Sequence, residues 1–181
     1  QIYSEAAQTV YSHTPTEPDV VFGKGRQKDV LDFDPDSLVL ESEREGKVHL
    51  SESLLSDKGF GNLTVVNEGG DIVVLENVTL KPGTGSQFSL TGANINVLGK
   101  IISPGSTLSF KALNLTTYQE AVSDPNSAPA PNPGRGVLTL GSSAVLDTAG
   151  RITDGRTLGE NSLKPVVLRG GGVNLIGYST D

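Results

Sequence analysis

Residues 58–115, KGFGNLTVVNEGGDIVVLENVTLKPGTGSQFSLTGANINVLGKIISPGSTLSFKALNL, carry the pattern from which the fold is read. Short apolar segments follow one another: Leu63–Val66, Ile72–Leu75, Val78–Leu80, Phe88–Leu90, Ile95–Leu98 and Leu108–Phe110. Gly69-Gly70, Pro82-Gly83, Gly92, Gly99 and Pro104-Gly105 separate them. The segments are rich in β-branched or aromatic residues and mostly alternate with period two, the mark of half-buried strands. No part of the stretch has the longer run of 3.6-residue periodicity that a helix requires. One β-turn unit repeats with variations, as in a solenoid, where each unit hides its apolar face only by stacking on its neighbours.

Two all-β architectures compete. A β-sandwich is built from hairpins, which favour Asn-Gly or Asp-Gly turns; Asp154-Gly155 is the only such pair, and it lies in a polar stretch. The strands are short, and Asn62, Asn67, Asn77, Asn94, Asn96 and Asn114 recur at or beside their ends. Asn suits tight corners, because its short amide bonds local backbone. The reading is an all-β right-handed parallel β-helix with a long Pro-rich loop; the sandwich is the alternative. At a solenoid period of roughly 20–25 residues, residues 58–115 make about two and a half coils.

Outward from this stretch the signals weaken. In residues 1–20, Ser4 to Val10 has a helix start but Pro15 and Pro18 follow, and an extended terminus is expected. Val30–Phe33 and Ser37–Leu40 read as weak strands around an Asp34-Pro35-Asp36 turn, and Lys47–Leu50 as a further one. Ser53–Leu55 fits a short helical turn. Thr116–Gly136, with Pro125, Pro129, Pro131 and Pro133, reads as a loop thrown out from one coil, the alternative being a linker between two subdomains. The β pattern resumes at Gly136–Gly141 and Ala144–Asp147; Arg151 to Leu163 reads as a loop. Pro165–Leu168 and Val173–Ile176 read as the last strands, leaving an open edge. The expected division is residues 1–46 as an N-terminal extension with the first weak strands, and 47–181 as a β-helix segment with loop 116–136 inserted.

The 181 residues contain no cysteine, which excludes disulfides and thiolate metal sites. No methionine is present and residue 1 is Gln, so a piece of a longer product is expected. No apolar run approaches the roughly 18 residues of a membrane span, so no membrane insertion is expected. A net charge of -7 argues against nucleic acid, whose binding needs clustered Lys and Arg. Lys24, Arg26 and Lys28 are the densest basic group, and Asp29 and Asp32 follow at once.

Catalytic signals are few. His13 and His49 are the two histidines, and neither sits in a nucleophile-elbow or paired-His metal pattern. Asp32, Asp34, Asp36 and Glu43 fall at positions 1, 3, 5 and 12 of a calcium loop, but Ser37 replaces its required glycine. They are a weak calcium candidate beside a plain solvated turn. Glu68, Asp71 and Glu76 are the acids a β-helical carbohydrate-active enzyme would use between residues 59 and 115. Glu68 and Asp71 bracket a Gly-Gly turn, and the expectation is that all three are solubilising charges. No catalytic residue, cofactor or firm metal site is expected. Trp is absent; Tyr3, Tyr11, Tyr118 and Tyr178 are the aromatic substitutes for a sugar platform.

Leu50–Val65 resembles the L-S-x-x-L-L-x-x-x-G-F-x-x-L-x-V segment of large filamentous-haemagglutinin-like exoproteins. Gly70–Leu80, Ser89–Ile95, Leu138–Arg151 and Gly171–Leu175 continue the likeness, which covers about residues 50–181. It rests on distributed apolar and glycine patterning. The resemblance implies a β-helical shaft segment of a secreted or surface-displayed bacterial protein, exported by two-partner secretion through an outer-membrane transporter and used in adhesion. It implies a host or neighbour-cell receptor or glycan as partner. The short Asn-containing motifs of the family's secretion domain are missing, Asn132-Pro133-Gly134 falling short of them. The competing function is a β-helical carbohydrate-active enzyme or carbohydrate-binding module.

Overall fold

Strand formation follows the apolar segments, with glycine and proline between them. The computed structural model describes residues 17–25, 46–57, 61–116, 119, 120, 123, 130–153 and 165–178. It begins with β1 (Asp19–Gly23), β2 (Lys47–Ser51) and the single helical turn α1 (Ser53–Ser56). Then come β3 (Leu63–Asn67), β4 (Ile72–Val74), β5 (Thr79–Leu80), β6 (Gln87–Gly92), β7 (Ile95–Val97), β8 (Lys100–Ile102) and β9 (Thr107–Ala112). The chain closes with β10 (Leu138–Leu140), β11 (Val145–Asp147), β12 (Arg151–Thr153), β13 (Val166–Leu168) and β14 (Gly172–Ile176). Among the described residues, no helix is long and apolar enough to cross a membrane.

The fold is all-β and mostly parallel. Three parallel sheets have the orders β10-β7-β4-β1-β2, β11-β8-β5 and β14-β9-β6-β3. From β3 to β11 the chain visits them in rotation, one strand per sheet. Partners are therefore separated by one circuit: 25 residues for β3 and β6, 23 for β4 and β7, 21 for β5 and β8, and 20 for β6 and β9. The offsets jump to 43 for β7 with β10 and 45 for β8 with β11, because the 113–137 excursion intervenes. The antiparallel pairing that a sandwich needs occurs once among the described residues, between β12 and β13.

Register explains the core. Parallel strands stack like on like, so the inward residues of one circuit lie over those of the next. Ile72 aligns with Ile95, Val74 with Val97, Leu80 with Ile101, Phe88 with Leu108 and Leu90 with Phe110. All ten are fully buried. Phe88 lies 6.1 Å from Phe22 and 6.2 Å from Phe110 between ring centroids, the second pair edge-on, which suits the quadrupoles of the rings. Burying one such side chain contributes about 1.5–3 kcal/mol.

Corners are fixed by turn chemistry. Gly83–Ser86 and Ser103–Ser106 each close with a hydrogen bond from the last N–H to the first carbonyl. Gly85 and Gly105 both have φ of 69° at the third position, the type II pattern that only glycine adopts without strain. The Gly85 N–H donates to the Pro104 carbonyl, so one turn rests on the other.

Three expectations change. Asp19–Gly23, inside the stretch read as extension, is a strand between β2 and β4, with Phe22 in the core. Lys100–Ile102, passed over because only two apolar residues follow a lysine, is β8. Arg151–Leu163, read as a loop, begins with β12, which is held by cross-strand pairing to β13 and not by its own apolar content. The stretch Ser53–Leu55 is a helical turn, as expected, and carries Leu55 into the core. The Ser4–Val10 helix and the strands Val30–Phe33 and Ser37–Leu40 lie outside the described residues.

Candidate functional site

Of the three acids singled out from the sequence, Asp71 and Glu76 are engaged through their carboxylates. Asp71 precedes β4 and belongs to a ladder along one corner. Its N–H donates to Asp19 Oδ1 at 2.9 Å, and its own Oδ1 accepts from Asn94 Nδ2 at 2.8 Å. Asn94 Oδ1 then accepts from the Val137 N–H at 3.1 Å. Four successive levels of the five-stranded sheet are thus joined by the side chains of Asp19, Asp71 and Asn94, of which the Asn series read from the sequence includes Asn94 alone. Glu76 lies beyond the far end of β4 and accepts from Ser143 Oγ at 3.2 Å. The Glu68 backbone carbonyl accepts from Arg135 Nη2, which ties the end of the long excursion to the β3–β4 turn. Asp71 and Glu76 therefore sit at opposite ends of a strand, without the shared face that acid-base chemistry requires.

Other carboxylates are also structural. Glu52 Oε2 accepts from the Thr79 N–H at 3.0 Å, and Glu17 Oε2 from the Gly69 N–H at 2.7 Å. Among the described residues, no group of three His, Cys, Asp or Glu is placed to hold a metal ion. Asp32, Asp34, Asp36, Glu43 and His13 lie outside the described residues. His49 is on β2, in register with Val21, with an exposed side chain.

Among the described residues, two concavities can be delineated. A mostly apolar one of about 150 Å³ lies where β9 and β14 end, between residues 111–115, Glu120 and Ile176–Tyr178. A polar one of about 290 Å³ is lined by Lys24, Glu52, Ser56, Asp57, Asn77, Thr79 and Lys81. The second holds both cations and carboxylates, and Glu52 is already bonded to Thr79. Tyr178, one of the four tyrosines noted from the sequence, borders the first; Tyr3, Tyr11 and Tyr118 lie outside the described residues.

A buried hydroxyl cluster was not foreseen. Ser103 Oγ lies 2.6 Å from Ser106 Oγ, and Ser86 Oγ is 3.2 and 3.1 Å from the two. Ser103 also donates to the Pro82 and Gly83 carbonyls, and Ser106 to Gly83. All three serines are buried. The Ser103 and Ser106 hydroxyls satisfy turn backbone, and the Ser86 hydroxyl bonds to these two. Among the described residues, the cluster's bonds run to turn backbone and to one another, as in a corner brace. The signal was in the sequence as the paired turns Gly83–Ser86 and Ser103–Ser106.

Two excursions leave the sheets through closed necks. Residues 113–137 are pinched where the Leu113 N–H donates to the Gly92 carbonyl and the Gly136 N–H to the Ala93 carbonyl, both at 2.8 Å. Asn114 crosses this loop, donating to the Ala130 carbonyl and accepting from the Asn132 N–H. The second, bearing the β12–β13 ribbon, is pinched where Thr148 O accepts from Gly105 and Gly171. Its ribbon presents Ile152, Val166 and Val167 to solvent, each more than 60% exposed.

Comparison with protein-family models, with curated proteins and with solved structures finds no match to the chain.

Proposed function

We propose that this chain is a non-enzymatic structural segment of a large secreted or surface-displayed bacterial adhesin-like exoprotein, wound as a right-handed parallel β-helix. The observation that carries the reading is the rotation of the chain through three parallel sheets at offsets of 20 to 25 residues. Right-handed winding follows from the strong handedness of parallel crossovers. A stack of this kind is a rod that each circuit lengthens, and its stability is a sum of circuits and their contacts. The carboxylates of Asp71 and Glu76 each accept a hydrogen bond from a neighbouring level, which supports a structural part for them. The resemblance to filamentous-haemagglutinin-like proteins supports the same reading, with export through an outer-membrane transporter. In this role the rod carries binding parts away from the cell, and the excursions at 113–137 and 148–171 offer lateral contact to a receptor or glycan.

Antibodies raised against this chain test the location on unpermeabilised producing cells and their medium. Labelling of intact cells or recovery from the medium is expected; labelling only after permeabilisation overturns the reading. A polysaccharide-degradation screen tests the mechanism. No turnover is expected, and turnover abolished by Asp71→Asn or Glu76→Gln would contradict a purely structural role.

A further inference from the structure

β1 enters the five-stranded sheet out of turn. The order there is β10-β7-β4-β1-β2, so the first strand in the chain lies between β2 and β4. Val20 pairs with Val48 on one side and Ile72 on the other, and Phe22 with Leu50 and Val74. Val48 and Ile72 are themselves one circuit apart in sequence, within the 20 to 25 residues that separate directly paired strands elsewhere in the stack. There such strands touch: β3 lies against β6, β4 against β7 and β5 against β8. Between β2 and β4 one circuit instead climbs two strand spacings, about 9.6 Å in place of about 4.8 Å. β2 already carries the pattern that suits β4 directly, because Val48 and Leu50 stand at the levels of the inward residues Ile72 and Val74.

β1 is thus a guest held from two sides. Its Asp19 and Val20 N–H groups donate to the Gly46 and Asp71 carbonyls, and its Phe22 and Gly23 carbonyls accept from Leu75 and Glu52. Three further bonds fasten its entry to the β3–β4 turn. The Gly69 N–H donates to Glu17 Oε2 at 2.7 Å, Asn67 Nδ2 to the Pro18 carbonyl at 2.9 Å, and the Asp71 N–H to Asp19 Oδ1 at 2.9 Å. None of these is covalent. Withdrawal of β1 need not strand the backbone it satisfies on β2 and β4, since those two strands can pair with each other.

We propose that β1 is a removable strand: it leaves its slot and β2 closes on β4, with His49 opposite Val73 and Leu50 in the place of Phe22. This rests on reading the chain as a stacked solenoid. The sheet then has two states built from the same register, one with β1 inserted and one without it. The inserted state prevails because it buries Phe22, 1% exposed, beside the Phe88 ring, together with Val20 and Val21. Release turns a buried Val-Val-Phe segment into a strand with two free edges, the form in which strands recruit other chains.

The chain has no cysteine, so engineered pairs report without background. His49→Cys with Val73→Cys flanks Val21. Their Cα atoms lie about 9.6 Å apart with β1 inserted and come within the roughly 7 Å that a disulfide spans only when β2 meets β4. Lys47→Cys with Val73→Cys is out of register in both states and bridges only on general unfolding. Val73→Cys with Asn96→Cys joins strands paired in both states. Each full-length variant is oxidised mildly at low concentration, with and without Asp19→Ala, which removes one fastening, and the intramolecular bond is quantified by mass spectrometry. The His49→Cys pair is expected to cross-link at least roughly tenfold faster than the Lys47→Cys pair, and faster still with Asp19→Ala; in the cysteine-free chain, β1 amides are expected to exchange at least roughly tenfold faster than those of β4. Equal rates for the two pairs overturn the proposal, as does no cross-link between His49→Cys and Val73→Cys, or exchange of β1 and β4 together. Failure of the Val73→Cys and Asn96→Cys pair to cross-link would refute the stacked reading itself.

Discussion

Replacing Phe88 with alanine removes the ring on which the core is centred. Phe88 is fully buried and touches Phe22 below and Phe110 above, at 6.1 and 6.2 Å. A buried Phe→Ala change costs about 3–5 kcal/mol through lost transfer energy and the cavity left behind. Each well-placed aromatic pair contributes about 0.5–1.5 kcal/mol beyond burial, and part of that is already inside the first figure. Inward neighbours on three sheets restrain collapse into the cavity, so about 4 kcal/mol is expected. With a urea m-value of about 2 kcal/mol/M, the midpoint should fall by about 2 M. Val66→Ala is the reference: Val66 points outward from β3 and is exposed, so its loss should stay within about 0.5 kcal/mol. Because stacked arrays can unfold in parts, exchange of the β6 and β9 amides should accompany the urea curve. A Phe88→Ala loss below about 1 kcal/mol, or one equal to that of Val66→Ala, would refute the aligned core.

Gly171→Ala should be far more damaging than Gly172→Ala. A Cβ at Gly171 would meet the Ser106 carbonyl oxygen at 1.8 Å, while one at Gly172 meets nothing within 4 Å, so thermal melts of the two should separate clearly. Ser103→Ala takes the hydroxyl donor from the buried Pro82 carbonyl, while Gly83 keeps Ser106 and Ser86, and should cost about 1–3 kcal/mol by urea titration. Deleting residues 151–169 should shift stability by less than about 1 kcal/mol, because the neck already brings a Cβ at Gly150 within 2.9 Å of Gly170 N and the ribbon is exposed. Loss of the folded circular-dichroism signal on that deletion would show that the ribbon supports the stack.

The sequence made the inward faces legible wherever apolar residues alternated. Phe88-Ser89-Leu90 and Leu108-Ser109-Phe110 announce which side is buried, and the register bears this out. The corner role of Asn94 was visible for a related reason, since a short amide at a strand boundary has backbone within reach. Asp19–Gly23 was harder. Val20, Val21 and Phe22 are consecutive apolar residues, and their burial on both sides of the backbone depends on β2 and β4 from distant sequence. β8 failed for want of local pattern, because Lys100-Ile101-Ile102 is fixed by β5 and β11 on either side. Asp71 shows why site reading is weaker than fold reading. Its charge and spacing fit catalysis as well as a ladder, and its bonds to Asn94 and Asp19, which place it in the ladder, come from distant sequence.

The central claim is that strands one circuit apart lie side by side and parallel. Nuclear Overhauser contacts in the isotopically labelled protein test it most directly, on the line Thr64–Ser89–Ser109–Asn174 across the four-stranded sheet. The account predicts backbone contacts between each successive pair on this line, and contacts from the Phe88 ring to both Phe22 and Phe110. Sequential hairpin contacts, such as β6 against β7 in antiparallel register, would contradict it.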